Sequence, residues 1–314
     1  MKPLETVAVI GNGIIGHGIA QVFAMAGKRV KMIGRDEASL GRAMDKISVS
    51  LGDFARHGLI EGAIPDILAR IVPSQRLEDA AEAQLVIEAV TEDLALKRGL
   101  FGRLDKICAP AVVLASSSGQ PASALIAEVA HPERVIATHF WYPPQLIPLV
   151  EVCASQKTLV DVTLWVCEVL RAAGKEPAVI DQEIPGFIGN RLQFALLREA
   201  WALWASGAAS AEAIDSVVRH SFGRRLGITG PLESADAGGL FTMYHFGKSL
   251  IPHLDARPEP DPAIAKLVAE GANGIANGRG VRDWTERDGQ ALIAARMEEL
   301  FRWLKADRAR NNSR

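Results

Sequence analysis

The first half of the chain alternates short apolar runs with longer segments that have helical spacing. Five apolar runs are typical of buried strands: residues 5–10, 29–34, 84–90, 111–116 and 134–140. Residues 37–60 place apolar side chains three or four positions apart, which predicts a helix. Strands that alternate with helices predict an α/β fold with a parallel, doubly wound sheet, the Rossmann arrangement. In such a sheet the ligand crevice lies at the carboxyl ends of the strands.

The pattern changes after about residue 182, where helical spacing continues and the strand signal almost disappears. The segment RLQFALLREAWALWASG predicts an amphipathic helix that ends at a glycine, and another helix is predicted after Ser210. A last helix is predicted over residues 286–306. The sequence therefore predicts two domains, an N-terminal α/β domain over residues 1–183 and a C-terminal all-α domain over residues 184–314.

Bulk composition narrows the class of protein. The 314 residues are 48% hydrophobic and 23% charged, and the formal net charge of −2 gives no reason to expect nucleic acid or an anionic membrane as a partner. No apolar run approaches the roughly 18 residues of a membrane-spanning helix, and the N-terminal segment lacks a signal-peptide pattern. Three scattered cysteines without metal-ligand spacing favour a reducing cytoplasm and predict no metal site.

A glycine-rich loop follows the first predicted strand and opens a helix. It reads Gly11-Asn-Gly13-Ile14-Ile15-Gly16. In this position the glycines let the backbone approach a pyrophosphate, and the start of the helix supplies amide groups and a favourable dipole. The loop therefore predicts a dinucleotide site. We expect Ile14 and Ile15, between the glycines, to border the cofactor.

The end of the second predicted strand bears on which dinucleotide is bound. NAD enzymes usually place a carboxylate there to bind the adenosine ribose, whereas here Gly34 takes that position and Arg35 follows it. The guanidinium of Arg35 can pair with a 2′-phosphate that a carboxylate would repel. We therefore expect NADP to be preferred over NAD, unless Asp36 reaches the ribose and restores NAD use.

A second chemical feature lies at the end of the strand predicted over residues 134–140. His139 emerges where this strand meets the ligand crevice, and Glu151 lies twelve residues later in the apolar run LVEV. A histidine with a pKa near neutrality can take the proton of a hydroxyl group as a hydride leaves the same carbon. From the residues alone, the two are either a base with a carboxylate that orients it or an unrelated pair near a loop.

Several motifs occur in an order that resembles the 3-hydroxyacyl-CoA dehydrogenase family over nearly the whole chain. They are GNGIIGHGIA, LVIEAVTEDLALK, LASSS, HFWYPP followed by PLVEV, and PGFIGNRL. Within the family, YPPQLIPLVEV, GFIGNRLQFALLREAW and GRRLGITGPLE look most like the lambda-crystallin and L-gulonate 3-dehydrogenase branch and its L-carnitine dehydrogenase relatives. The resemblance implies an oxidoreductase that interconverts a 3-hydroxyl and a 3-keto group with a nicotinamide cofactor. It also implies a homodimer formed through the helical domains.

The resemblance implies roles for individual residues as well. His139 matches the general base, and Glu151 matches the carboxylate that holds it. Asn190 matches an asparagine that contacts the substrate. A carboxylate on the second ring nitrogen fixes the tautomer and stabilises the imidazolium, and an amide donor holds the substrate oxygen while its charge changes. Together these residues favour the interpretation of His139 and Glu151 as a base and its orienting group.

Two further sets of matched residues lie near the expected cofactor. Ser118 matches the serine that binds the substrate oxygen, and Ser117 is the alternative because the serine motif here is one residue shorter than usual. We expect Ser117 to border the cofactor. Glu92 and Lys97 match positions near the nicotinamide and its ribose.

Departures from the family pattern bear on the substrate. Acyl-CoA-using members tend to carry a lysine-rich helix after the second strand, whereas AMDKISVSLGDFARHG has only Lys46 and Arg56. We therefore expect a small free hydroxy or keto acid, L-gulonate-like or carnitine-like, with 3-hydroxybutyryl-CoA as the alternative. Arg225, or else Arg224, is the candidate to bind a substrate carboxylate, because a planar guanidinium matches it with two hydrogen bonds. Tyr142 stands where the family commonly has asparagine, which indicates an altered substrate shape.

A third interpretation is a non-catalytic nucleotide-binding protein, as crystallin-like relatives can be. The presence of Ser118, His139, Glu151 and Asn190 together argues against it, because a protein that had lost its catalytic activity would have no reason to keep all four. Trp141, beside His139, is expected to line the pocket.

Overall fold

The computed structural model describes residues 3–311. Within this range, eight strands form one sheet: β1 Thr6–Ile10, β2 Arg29–Ile33, β3 Ile71–Ser74, β4 Leu85–Glu88, β5 Val113–Ser116, β6 Val135–Phe140, β7 Leu149–Ala154 and β8 Glu176–Ile180. Their order is β3-β2-β1-β4-β5-β6-β7-β8, and all neighbours are parallel except β6 and β7. This confirms the predicted doubly wound α/β fold.

Helices connect most of the strands and make up the C-terminal part of the described chain. They are α1 Gly16–Met25, α2 Glu37–Arg56, α3 Ile64–Ala69, α4 Leu94–Ile107, α5 Ala122–Leu125, α6 Val160–Ala172, α7 Phe187–Ala205, α8 Ala211–His220, α9 Phe222–Leu226, α10 Pro231–Ala237, α11 Leu240–Leu250, α12 Pro262–Ala269 and α13 Gly289–Asn311. The helical character of the C-terminal region is thus confirmed. No helix within residues 3–311 combines the length and apolarity needed to cross a membrane. The cytoplasmic location stays a prediction.

Three strands were not predicted from the sequence. β3 and β8 lie at the two edges of the sheet and contain Pro73 and Pro177. Proline has no backbone N–H group to donate, so it is tolerated in an edge strand better than in an inner strand, which hydrogen-bonds to neighbours on both sides. β7 runs antiparallel to β6, because the loop over residues 141–148 is too short for the helical crossover that a parallel neighbour requires.

The sheet separates two hydrophobic clusters, as its alternating side chains require. Val7 and Val9 of β1 belong to a cluster with buried residues of α1 and α2. Ala8 and Ile10 of the same strand belong to a cluster with buried residues of α4. The sheet is therefore covered on both faces, and its strand ends are left to form the site.

The chain divides into two compact units. The first runs to Ile188 and resumes at Arg296, and the second is Gly189–Ala295. The end of α13 belongs with the first unit because Phe301 and Leu304 are buried against Phe54 of α2. In the sequence interpretation, this helix fell in the C-terminal domain, and the domain boundary at residues 183/184 stays a prediction.

Candidate active site

The centre of the candidate site is a pair of side chains on β6 and β7. His139 and Glu151 are directly opposite in the antiparallel register, and His139 Nδ1 lies 2.8 Å from Glu151 Oε2. The side chain of His139 is 13% exposed, whereas that of Glu151 is 2% exposed. Because a carboxylate oxygen only accepts hydrogen bonds, Nδ1 carries the hydrogen and Nε2 is the nitrogen left to take a proton.

Glu151 accepts hydrogen bonds from other groups as well. The indole Nε1 of Trp141 donates to Oε2 at 3.2 Å, and the backbone amide of Ile188 donates to Oε1 at 2.9 Å. The amide comes from the first turn of α7, at the end of the first unit. These donors, together with His139, hydrogen-bond the buried carboxylate and fix its orientation.

Two aromatic rings stand beside the histidine. The ring of Trp141 lies 5.6 Å from that of His139, and the ring of Phe187 lies 5.9 Å from it, centroid to centroid. Phe187 is fully buried and adopts φ 49°, which is unusual for a residue that is not glycine. The sequence interpretation expected Trp141 to line a pocket and gave it no contact with Glu151. Its indole nitrogen is a donor that a buried partner satisfies.

A buried carboxylate that the sequence interpretation missed lies at the end of β4. Glu88 is fully buried, and its Oε1 accepts from the ammonium of Lys97 at 2.7 Å and from the Val90 amide at 2.7 Å. Lys97 is also 3.3 Å from the half-exposed carboxylate of Glu92. The signal that could have found Glu88 was a single acid inside the apolar run LVIEAV, because a buried charge needs a partner.

The serine cluster is tied to the same carboxylate. The Ser116 hydroxyl donates to Glu88 Oε2 at 2.6 Å, and the Ser117 amide donates to the Glu88 carbonyl at 2.8 Å. Ser118 Oγ lies 3.1 Å from Ser116 Oγ and accepts from the Gln120 amide at 3.3 Å. The Ser116 hydroxyl is thus hydrogen-bonded to buried protein groups. Ser117 and Ser118 follow it at the carboxyl edge of the sheet.

The glycine loop lies at the carboxyl end of β1, as predicted. Gly11 has φ 101°, and a Cβ there would stand 2.5 Å from the Ala89 carbonyl oxygen. A Cβ on Gly16 would stand 1.8 Å from the Gly11 carbonyl oxygen, whereas one on Gly13 would meet no atom within 4 Å. The loop is therefore close-packed on its inner side and open at Gly13, which fits a backbone that a phosphate group approaches. Ile14 is 64% exposed beside this opening.

The loop borders a cavity of about 830 Å³ that the end of β2 also lines. Gly34 and Arg35 line it, and a Cβ on Gly34 would stand 2.7 Å from Asn12 Oδ1. The side chain of Asp36 accepts from the Ser39 amide at 2.7 Å and so forms the N-cap of α2. The fit to a dinucleotide is therefore good, and the carboxylate of Asp36 is already engaged in the cap.

The remaining predicted residues lie in the loop after β6 and on helices of the second unit. Tyr142 lies in the loop over residues 141–148 and is 56% exposed. Asn190 lies on α7, and Arg224 and Arg225 lie exposed on α9, all in the second unit. Their roles toward a substrate stay predictions.

Two family models match the chain. The 3-hydroxyacyl-CoA dehydrogenase NAD binding domain matches residues 6–184, and the 3-hydroxyacyl-CoA dehydrogenase C-terminal domain matches residues 186–284. The chain therefore belongs to the 3-hydroxyacyl-CoA dehydrogenase family, which confirms the resemblance carried by its motifs. It is an NAD-dependent oxidoreductase that acts on CH–OH groups. The preference for NADP stays a prediction.

Individual relatives cover nearly the whole chain. L-carnitine dehydrogenase of Streptomyces coelicolor is 37% identical over 91% of this chain and 92% of its own length. A probable 3-hydroxybutyryl-CoA dehydrogenase of Bacillus subtilis is 34% identical over 90% of this chain and 99% of its own. The crystal structure of 5-formyl-3-hydroxy-2-methylpyridine 4-carboxylic acid 5-dehydrogenase, an NAD⁺-dependent dismutase, has a TM-score of 0.89 at 28% identity. It covers 98% of this chain and 99% of that one.

Proposed function

We propose that the protein interconverts a 3-hydroxyl and a 3-keto group on a small free hydroxy acid, L-gulonate-like or carnitine-like, with His139 as the general base. The observation that carries this proposal is the 2.8 Å contact between His139 Nδ1 and Glu151 Oε2. With Nδ1–H held by the carboxylate, Nε2 takes the hydroxyl proton in the oxidation direction and returns it in the reduction direction. The bound nicotinamide supplies the hydride acceptor or donor.

The surroundings of the pair support this role. Taking a proton turns His139 into a cation, and the buried carboxylate of Glu151 lies where it stabilises that charge. The donors from Trp141 and Ile188 keep the carboxylate ionised and fixed. In the same proposal Ser118, with Ser117 as the alternative, and Asn190 hold the substrate oxygen, and Glu92 and Lys97 border the nicotinamide and its ribose.

The basic residues of α2 support a free acid over an acyl-CoA. Lys46 lines the cofactor cavity, and Arg56 pairs with Asp53 at 2.5 Å. Acyl-CoA-using members tend to have lysines in this segment. Here its two cations, Lys46 and Arg56, are engaged by the cofactor cavity and by Asp53, which leaves neither of them for a CoA group. The 37% identity to an L-carnitine dehydrogenase points the same way. The 34% identity to a probable 3-hydroxybutyryl-CoA dehydrogenase favours the second candidate, an acyl-CoA substrate.

Two residues remain candidates for substrate selection. We propose that Arg225, or else Arg224, binds the substrate carboxylate, and that Tyr142 shapes the pocket entrance. The comparison of Arg225→Ala with Arg224→Ala tests the first part. The KM for an accepted acid should rise in one of them with little change in kcat, and an unchanged KM in both would exclude the arginines from substrate binding.

The end of β2 supports a preference for NADP. Arg35 lines the cavity, no carboxylate stands at Gly34, and the carboxylate of Asp36 is engaged by the Ser39 amide. A 2′-phosphate would therefore meet a guanidinium where NAD enzymes usually place a carboxylate. Direct titration of both reduced cofactors tests this preference, and tighter binding of NADH than of NADPH would contradict it.

We also propose that the protein is a homodimer formed through the helical second unit. Within the described chain, no apolar side chain between residues 189 and 295 is among the buried core residues, and Ile228, Leu232 and Phe241 are 83%, 80% and 78% exposed. So many exposed apolar side chains favour an association surface. Trp201 and Trp204 of α7, which are half-buried, are candidates for its contacts. Sedimentation equilibrium tests the proposal, because a monomer at micromolar concentration would contradict it.

The first experiment is an initial-rate panel with NAD and NADP. L-gulonate, L-carnitine, free 3-hydroxybutyrate and 3-hydroxybutyryl-CoA are assayed with the wild type and with His139→Ala. We expect turnover of a free acid that is lost in the variant. Turnover of the CoA thioester alone would contradict the free-acid assignment and establish the second candidate.

A further inference from the structure

Helix α2 presents a polar face to the cofactor cavity that the residues assigned so far do not account for. Its buried residues Leu40, Ile47 and Leu51 pack in the core. Beside this stripe, Arg42 and Lys46 are one turn apart and both line the cavity. The helix thus places two cations, about 6 Å apart along its axis, beside the dinucleotide.

The charges that line the cavity are strongly unequal. Four cationic side chains, Arg35, Arg42, Lys46 and Arg103, share the lining with the single carboxylate of Glu78. Within residues 3–311, neither Arg42 nor Lys46 forms an ion pair with an acidic side chain. A cavity with this excess of positive charge favours a ligand with several negative charges.

Arg42 lies close to the end of β2. Hydrogen bonds from Ser39 lower the pKa of Asp36 most, and the positive charges of Arg42 and Arg35 lower the pKa of this carboxyl further. Both guanidinium groups are therefore within electrostatic reach of the N-cap of α2. In a dinucleotide-binding sheet, this is the end of the cavity that receives the adenosine ribose.

Lys46 lines the same cavity as Gly13 of the glycine loop. His17 Nδ1 bonds to the Gly13 carbonyl at 2.6 Å, which places this ring against the loop. Burial lowers the pKa of His17 most, and the charge of Lys46 lowers it further. The Lys46 ammonium is therefore close enough to the loop for a phosphate group there to attract it.

We propose that α2 supplies one cation to each of two phosphate positions of the cofactor, Arg42 together with Arg35 to the 2′-phosphate and Lys46 to the pyrophosphate. This inference rests on the proposed preference for NADP and deepens it. Because NAD and NADP share the pyrophosphate and differ in the 2′-phosphate, the two cations have different effects on the two cofactors. Arg42 selects between them, whereas Lys46 strengthens both.

Isothermal titration calorimetry with NADPH and NADH, without substrate, tests the inference. Arg42→Ala should weaken NADPH about 10-fold or more and change NADH less than about 2-fold, as expected for one charged hydrogen-bonding partner. Lys46→Met should weaken both cofactors by a similar factor. Arg56→Ala is the matched control, because Arg56 lies on the same helix, pairs with Asp53 and does not line the cavity.

The outcomes separate this inference from the function on which it rests. If the wild type prefers NADPH and Arg42→Ala keeps that preference, or weakens NADH equally, the assignment of Arg42 is wrong and the preference for NADP stands. If Lys46→Met leaves both affinities unchanged, the assignment of Lys46 is wrong. If the wild type binds NADH more tightly, the proposed preference for NADP is itself wrong.

Discussion

The two compact units of this chain differ in how they use their apolar side chains. In the first unit, the strands β1, β4 and β5 are buried along their full length, and two clusters fill both faces of the sheet. In the second unit, Gly189–Ala295, none of the apolar side chains that the structure describes is in the buried core. The first unit therefore holds its shape with its own core, whereas the second unit exposes surface that water does not favour.

This difference matters for where the chemistry is built. His139, Glu151, Trp141 and Ile188 all belong to the first unit. A base must be held to within a few tenths of an ångström, which a closely packed core provides. The exposed second unit is the region suited to association and to the contacts that select a substrate.

The largest expected effect tests whether the first unit carries the chemistry. We expect His139→Ala to lower kcat about 10²- to 10⁴-fold, because the variant lacks the group that takes the hydroxyl proton. The midpoint of thermal unfolding should change far less than the activity, since the Trp141 and Ile188 donors to the buried Glu151 carboxylate remain. Initial rates and calorimetry of the same samples measure both. Activity above about a tenth of the wild-type level would assign the proton transfer to another group.

The next effect compares the two units directly through one apolar truncation in each. Leu51→Ala, in the core of the first unit, should lower the free energy of unfolding by about 2–5 kcal/mol at any protein concentration. Phe241→Ala, at a side chain that is 78% exposed in the second unit, should cost little in a monomer. In a dimer it should weaken association about 10-fold or more, since burying such a side chain contributes roughly 1.5–3 kcal/mol.

Thermal unfolding at several protein concentrations separates these two effects. A variant that weakens association lowers the unfolding midpoint most in dilute samples, because association stabilises by mass action. Equal loss of stability at all concentrations for Phe241→Ala would remove its role in association. A concentration-independent midpoint for the wild type would contradict the dimer itself.

The sequence predicted the first unit better than the details of its edges. Buried inner strands such as β1 have continuous apolar runs that are recognisable without a structure. The edge strands β3 and β8 are short and contain proline, so their composition does not distinguish them from loops. The antiparallel direction of β7 relative to β6 follows from the length of the loop between them, which the apolar pattern of the strands does not reveal.

For the candidate site, the sequence identified residue types and could not establish which atoms meet. His139 and Glu151 were paired as candidates, whereas their direct opposition depends on the register of β6 and β7. The contact of Trp141 with Glu151, and the role of Glu88 in holding Lys97 and Ser116, depend on which strand ends lie side by side. Such contacts between distant segments follow from tertiary structure and leave little trace in local patterns.

A pH-dependent effect is expected from a buried lysine in the well-packed first unit. Lys175 is buried, and its ammonium donates to the carbonyl oxygens of Pro144 and Ile147, the latter at 3.0 Å. Burial, and then the charge of Arg308, lowers the pKa of Lys175 to about 7 from an ordinary value of 10.5. Between these values the unfolded chain binds more protons than the folded one, so this lysine makes the free energy of unfolding rise with pH there.

We expect the free energy of unfolding to gain up to about 1.4 kcal/mol per pH unit from this lysine between pH 7 and 9. The gain should be absent in Lys175→Met and present in Lys157→Met, a matched change at an exposed lysine. Urea unfolding at pH 7, 8 and 9 measures the three slopes. Parallel curves for wild type and Lys175→Met would show that the lysine keeps its charge throughout this range.

The smallest expected effect tests whether Trp141, through its hydrogen bond to Glu151, changes how readily His139 acts as the base. Trp141→Phe keeps a smaller aromatic ring beside His139 and removes the Nε1 donor, 3.2 Å from Glu151 Oε2. The carboxylate then loses one of its donors and accepts the hydrogen of His139 Nδ1 more strongly. Since a hydrogen bond contributes about 0.5–1.5 kcal/mol net, the pH profile of kcat/KM should move by roughly 0.4–1 pH unit.

The readout is the pH at which kcat/KM for oxidation reaches half its maximum. Because the base must be deprotonated in that direction, Trp141→Phe should move this pH upward. Trp303→Phe, on α13 of the same unit and in contact with Arg302, is the matched control and should leave it unchanged. A lower kcat/KM at every pH with an unshifted profile would mean that Trp141 acts through packing alone. The orientation of Glu151 would then rest on its other donors, which include the Ile188 amide and His139.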